Sequence, residues 1–192
     1  MANKTVINLN IQVAPRVVIF DLDHTFWPFD VDTEPVLPFT KRGGNGARAD
    51  EVIDAHGMSC AIFPDVRRVL AAVVNMGARI AFASRTHDSK AARALLEAHG
   101  LWIEIRGDER LFQAYPSGGS GRCKSVHFAK IFNALSLKPE DALFFDDMRD
   151  NIDHAVEGGT ASILLGHGGL TWDSWEKGIK EWHRTRDALR NI

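Results

Sequence analysis

Two carboxylates separated by one residue, Asp21 and Asp23, terminate an apolar run in the stretch VVIFDLDHTFWP, residues 17–28. A second acidic pair, Asp146 and Asp147, terminates the run ALFF. A third apolar run ends in Ser84, Arg85 and Thr86, and Lys124 stands in GRCKS where a loop enters a helical stretch. If these runs are parallel strands of one sheet, their polar ends gather at one edge, where ligands of open α/β sheets bind. Four carboxylates in one place repel, each contact at about 4 Å costing roughly 4 kcal/mol at an effective dielectric near 20. Protonation or a divalent cation relieves the repulsion. Hard oxygen ligands beside a phosphate suit Mg²⁺, which keeps several waters and seldom occupies an all-protein cage. A hydroxyl at Ser84 and an ammonium at Lys124 can hold phosphoryl oxygens. The constellation reads as phosphoryl transfer. Asp21 is placed to attack phosphorus and form an aspartyl-phosphate. Asp23, on the same side of an extended chain, is placed to protonate the leaving group and then activate water.

The elements that must position these groups alternate along the chain. Apolar runs at 16–20, 78–84, 141–146 and 161–166 read as buried parallel strands, with 101–105 a shorter strand candidate. Amphipathic helices are expected over 65–76, 88–99, 124–136 and 149–159, and a C-terminal helix within 171–192 places Trp172, Trp175, Ile179 and Trp182 on one stripe. Strand and helix at this spacing predict an α/β, Rossmann-like fold, a mostly parallel central sheet with helices on both faces. Residues 27–62 interrupt the alternation with Pro28, Pro35, Pro38 and the run KRGGNGARAD, and read as a short flap or hairpin over the first strand's end. SGGSG at 117–121 reads as a flexible loop. The whole of 1–192 is expected to be one domain, with 1–14 an N-terminal extension.

Composition narrows the classes. The chain has 45% hydrophobic and 25% charged residues, ordinary for a soluble globular protein. A net charge of −2 gives no electrostatic reason to expect nucleic acid or an anionic membrane as partner. Cys60 and Cys123 form no CxxC pair and are expected as free thiols in a reducing compartment. No apolar run approaches the ~18 residues that span a bilayer, and the N-terminus lacks a signal peptide's continuous apolar segment, so a cytoplasmic address is expected.

The motifs carry a resemblance. DLDHT resembles the D-x-D-x-[TV] signature of the haloacid dehalogenase (HAD) superfamily of phosphatases, and SRT, Lys124 and FFDDMRDN follow in the order of its other motifs. DLDHTFWP, ASRT, KSVHF and FFDD are similar to the corresponding segments of the magnesium-dependent phosphatase 1 family, over residues 16 to about 167. The resemblance implies a Rossmann-like HAD fold with little or no cap, an Mg²⁺ cofactor, and hydrolysis of phosphate monoesters. The substrates it implies are a phosphorylated small molecule, such as a fructosamine-6-phosphate or another sugar phosphate, or a phosphotyrosyl protein. It also implies the roles: Asp21 nucleophile and metal ligand; Asp23 acid/base, its backbone carbonyl on the metal; Asp146 a metal ligand with Asp147 at or beside it; Ser84 on phosphate; Lys124 bridging phosphate and nucleophile; Arg85 on the substrate side.

His24 and Phe26 depart from the family, which usually shows tyrosine and leucine there. His24 is expected at the pocket, with consequences for substrate preference. Trp27 either walls the pocket or anchors the insert, Asp150 and Asn151 either orient the metal shell or cap the next helix, and Thr86 is expected to cap the helix after it. Lys130 is a rival to Lys124 whose helical phase points to solvent. His127 and the other scattered histidines show no metal-ligand spacing and read as surface or packing residues. The alternative to an enzyme is a non-catalytic or signalling phospho-acceptor domain. In signalling receivers, however, the acidic pair precedes the phospho-acceptor, and here it comes last.

Overall fold

The computed structural model describes residues 14–43, 51–114 and 124–190. The expected loop at 117–121, Cys123 and all but Ala14 of the expected extension lie outside the described residues. Five strands, β1 (Val17–Phe20), β4 (Arg79–Ala83), β5 (Phe112–Gln113), β6 (Ala142–Asp146) and β7 (Ala161–Leu164), form one sheet in the order β5-β4-β1-β6-β7. Every pairing in it is parallel, with Val17 opposite both Arg79 and Ala142.

All four residues of β1 are fully buried because both faces of the sheet are covered. Val18 and Phe20 face a large core with α1 (Val66–Asn75), α2 (Ser89–Ala98) and α6 (Trp172–Arg190); Val17 and Ile19 face a smaller one with α4 (Ser125–Leu135) and α5 (Arg149–Glu157). The helices change faces where the strand order reverses: α1 and α2 lead outward from β1, and α4 carries the chain back across it to β6. Right-handed crossovers require that exchange. The predicted tryptophan stripe packs as expected, with Trp175 and Trp182 buried against the sheet. Gly178 lets α6 lie close, since a Cβ there would come within 2.5 Å of Phe145 Cζ.

One strand candidate is corrected. Residues 101–105 are not a strand: α3 (Leu101–Glu104) is a single helical turn. Leu101, Trp102 and Ile105 are buried while Ile103 is 82% exposed, a helical rather than alternating pattern. The edge position is taken by β5, where Phe112 packs edge-on against Phe82 and Trp102.

The insert is small. Its β2 (Thr40–Lys41) and β3 (Val52–Ile53) pair antiparallel. Trp27, Phe29, Val31 and Val52 sink into the larger core and fix its base. The buried Asp54 accepts N–H bonds from Val36, His56 and Met58, which outweigh the burial of its charge and hold its carboxyl below the usual range. Among the described residues, no helix is long and apolar enough to cross a membrane.

Candidate active site

The site lies at the carboxyl edge of β1, β4 and β6, where the strand order reverses. Asp21 follows β1 and is held on the seam, its N–H donating to the Phe145 carbonyl at 3.0 Å. Asp146 is the last residue of β6, and its carbonyl accepts the Leu165 N–H at 2.8 Å. After Asp21 the chain turns tightly: the Thr25 and Phe26 N–H groups both donate to the Leu22 carbonyl, and His24 takes a left-handed φ of 53°. That turn brings Trp27 back to Asp23, whose Oδ1 accepts from Trp27 Nε1 at 2.7 Å and from the Val31 N–H at 3.1 Å. Trp27 is fully buried, so it anchors the insert and orients Asp23 together.

Lys124, immediately before α4, is 1% exposed. Its Nζ lies 2.6 Å from Asp21 Oδ1 and 2.5 Å from Asp146 Oδ2. Burial works against the ammonium, but the two carboxylates outweigh it and raise its pKa. Burial pushes the Asp21 carboxyl well above the usual carboxylate range, opposed by Lys124 and aided by Asp146. Asp147 is also raised, by burial and by its neighbour Asp146. Burial lifts Asp23 to about 6 despite its two hydrogen bonds. One lysine does not neutralise this edge.

Asp21, Asp146 and Asp147 each offer an oxygen, all within 4.8 Å of one another. The donor set is hard, anionic and short of positive charge, which suits Mg²⁺ or a similar oxygen-seeking cation. The Asp23 carboxylate is not among the three. Asn151 orients Asp146: its Nδ2 donates to both carboxylate oxygens, at 3.1 and 3.0 Å, and the Met148 N–H adds a bond of 2.7 Å to Oδ1. Asn151 Oδ1 is buried without a partner among the described residues, a further acceptor beside the cluster. Asp150 lies in the first turn of α5.

A cleft of about 230 Å³ opens at these groups, with Asp21, Asp23, Lys124 and Asp147 among its lining. His24 is on its wall, as expected, and its Nε2 lies 3.5 Å from Asp30 Oδ1. Arg85 reaches across it, Nη1 lying 3.9 Å from the Met148 sulfur. Thr86 also lines the cleft, whereas Ser84 is turned inward, its Oγ accepting the Thr86 N–H at 3.1 Å. The expected helix cap at Thr86 is corrected. Asp88 caps α2 by accepting the Ala91 N–H, since its carboxylate is one residue from the helix and Thr86 is three; Thr86 Oγ1 accepts the Asp88 N–H instead. Lys130 is exposed and lies outside this cleft.

His127, expected at the surface or in packing, is a packing residue. It is buried, and its Nε2 lies 2.9 Å from the Ser84 carbonyl. The available signal was its place three residues after Lys124 on the same helical face.

Residues 13–185 match the acid phosphatase family. The chain is 32% identical to human magnesium-dependent phosphatase 1 over 154 residues, 80% of each chain. The fold is similar to a predicted phosphoglycolate phosphatase from Haemophilus somnus, at a TM-score of 0.57 and 18% identity over 83% of this chain and 88% of that one. It is also similar to a HAD-superfamily hydrolase from Ehrlichia chaffeensis, at 0.55 and 12% over 90% and 98%.

Proposed function

The chain belongs to the acid phosphatase family, and from that premise we propose that it is an Mg²⁺-dependent phosphatase that hydrolyses phosphate monoesters through an aspartyl-phosphate on Asp21. The observation that carries the reading is the bridge of Lys124 between Asp21 and Asp146, with Asp147 completing a cluster of three carboxylates. Asp21, Asp146 and Asp147, with the Asp23 carbonyl, would hold the metal, which when bound supplies the charge that lets carboxylates and phosphate share one place.

An Asp21 oxygen attacks phosphorus as the bond to the leaving oxygen breaks, and Asp23 gives that oxygen its proton. Asp23 then takes a proton from water, whose oxygen attacks the same phosphorus, releasing inorganic phosphate and restoring Asp21. Lys124 holds Asp21 and a phosphate oxygen, Ser84 takes another after turning outward, and Arg85 meets the substrate beyond the phosphate. With two-residue strands as the regular structure among its described residues, the insert leaves room for bulky esters, phosphotyrosyl proteins and sugar phosphates such as fructosamine-6-phosphates among them. Such an enzyme suits a cytoplasmic address and needs no membrane or nucleic acid.

Two outcomes test this. Excess EDTA is expected to silence hydrolysis of p-nitrophenyl phosphate and added Mg²⁺ to restore it; an undiminished rate in chelator would remove the metal from the reaction. The second concerns Asp23. As a general acid it must carry its proton, and with its carboxyl near 6 that fraction is lost as pH rises through 6. Turnover of alkyl phosphates, which need the proton, should therefore fall above pH 6 more steeply than that of p-nitrophenyl phosphate. Asp23→Asn should lower alkyl phosphate turnover by about 10²–10⁴-fold and p-nitrophenyl phosphate turnover less. Equal losses on both esters would count against the acid role.

A further inference from the structure

We propose that His127 is the positioning residue that holds the turn Ser84–Thr86 in register with Lys124, through a hydrogen bond from Nε2–H to the Ser84 carbonyl. The inference rests on the phosphatase reading for its consequence, and on the geometry for the tie itself. Two elements far apart in the chain must present their groups to one phosphate: the turn after β4, with Ser84, Arg85 and Thr86, and the start of α4, with Lys124. The turn is organised internally by the Thr86 N–H on Ser84 Oγ at 3.1 Å, and it is tied to β5 by the Ser84 N–H on the Gln113 carbonyl at 2.9 Å. Its tie to α4 is His127, whose Nε2 lies 2.9 Å from the Ser84 carbonyl. Lys124 and His127 are three residues apart, so one helical face delivers both the ammonium and the tie.

The direction of the bond follows from its partner. A carbonyl only accepts, so Nε2 carries the hydrogen and Nδ1 is left as a lone pair. Nδ1 is buried without a partner among the described residues, so no competing bond favours the other tautomer. Burial, with Lys124 close by, pushes the ring down to about 4, which keeps it neutral at ordinary pH. The ring is 3% exposed and does not line the cleft. It is built to hold, not to move protons. A core aromatic would fill the same space, and the N–H is what a phenyl ring lacks.

That difference sets the experiment. His127→Phe keeps the bulk and loses the donor, and His127→Gln keeps a donor on a chain of similar reach. With both variants folded by circular dichroism, His127→Phe is expected to raise KM for p-nitrophenyl phosphate and the inhibition constant of inorganic phosphate by about tenfold, the worth of one such bond. Its kcat should change less, and His127→Gln should recover most of the loss. Unchanged constants in His127→Phe, or equal losses in both variants, would overturn the proposal. Amide ¹H–¹⁵N shifts of Ser84–Thr86 give a readout independent of turnover. Movement in His127→Phe but not His127→Gln supports the tie, and no movement in either overturns it. A wild type inert toward every phosphate ester would overturn the phosphatase reading alone, because the amide shifts still decide the tie.

Discussion

Asp21→Asn is expected to lose at least about 10³-fold in turnover of p-nitrophenyl phosphate, as enzymes do when the group forming the covalent intermediate is removed. The amide has the shape of the carboxylate but no anionic oxygen with which to attack phosphorus. The same substitution is expected to leave the fold as stable or more stable when no divalent cation is present. Burial and the Asp146 charge raise the Asp21 carboxyl above the usual range in the folded state, with Lys124 opposing. A carboxyl so raised prefers its proton when folded, so it weakens the fold as pH climbs from the ordinary carboxylate range toward neutrality. Asparagine carries no charge at any of these pH values. The variant's advantage in Tm, measured in EDTA, should therefore widen from pH 5 to pH 8. About 1 kcal/mol corresponds to roughly 2–4 °C in a domain of this size. Lys124 keeps Asp146 as its partner at 2.5 Å, so no buried ammonium is left alone. Retained turnover would remove Asp21 as the nucleophile. A marked fall in Tm would show instead that its charge serves the fold.

Much of this site is legible from the chain because it is written where apolar runs stop. β1 is wholly apolar and β6 apolar up to its last residue, and parallel pairing carries Asp21, next after β1, and Asp146 to the same edge without further information. Lys124 and Lys130 separate by helical phase, and the structure buries the first and exposes the second. What escaped has physical reasons. LWIEI has the composition of a strand, yet a five-residue run cannot distinguish alternation from one helical turn, and tertiary packing of Trp102 beside Gly107 decides. β5 is two residues long, too short to carry a period. Asp88 rather than Thr86 caps α2 because both residue types can cap and only the start of the helix chooses. The partner of His127 is a carbonyl 43 residues away in the chain, and its spacing from Lys124 marks the helical face without announcing that bond. Trp27 was ambiguous because it does two things: its ring is core, and its N–H reaches Asp23.

Lys124→Met should separate the two roles that one ammonium now fills. In the fold, Lys124 is the counter-charge of two buried carboxylates, and removing one partner of a buried ionic group typically costs about 3–5 kcal/mol. In EDTA the variant's Tm should therefore fall by on the order of 10 °C. The loss should shrink as pH drops, because protonation of Asp21, whose carboxyl burial already raises, removes one of the two charges that the ammonium offsets. Mg²⁺ held by the same carboxylates would supply positive charge too, and ligand that binds the folded state alone stabilises it by mass action. The rise in Tm on adding Mg²⁺ should consequently be larger in Lys124→Met than in wild type. Turnover should not follow: the metal restores charge to the cluster but leaves the phosphate oxygen and Asp21 without their shared hydrogen-bond donor, a loss of roughly 10²–10³-fold for a group of this kind. Stability rescued without activity is thus the expected signature. An Lys124→Met protein as stable as wild type in EDTA would show that the two carboxylates do not depend on the ammonium, and full turnover with Mg²⁺ would remove Lys124 from the reaction.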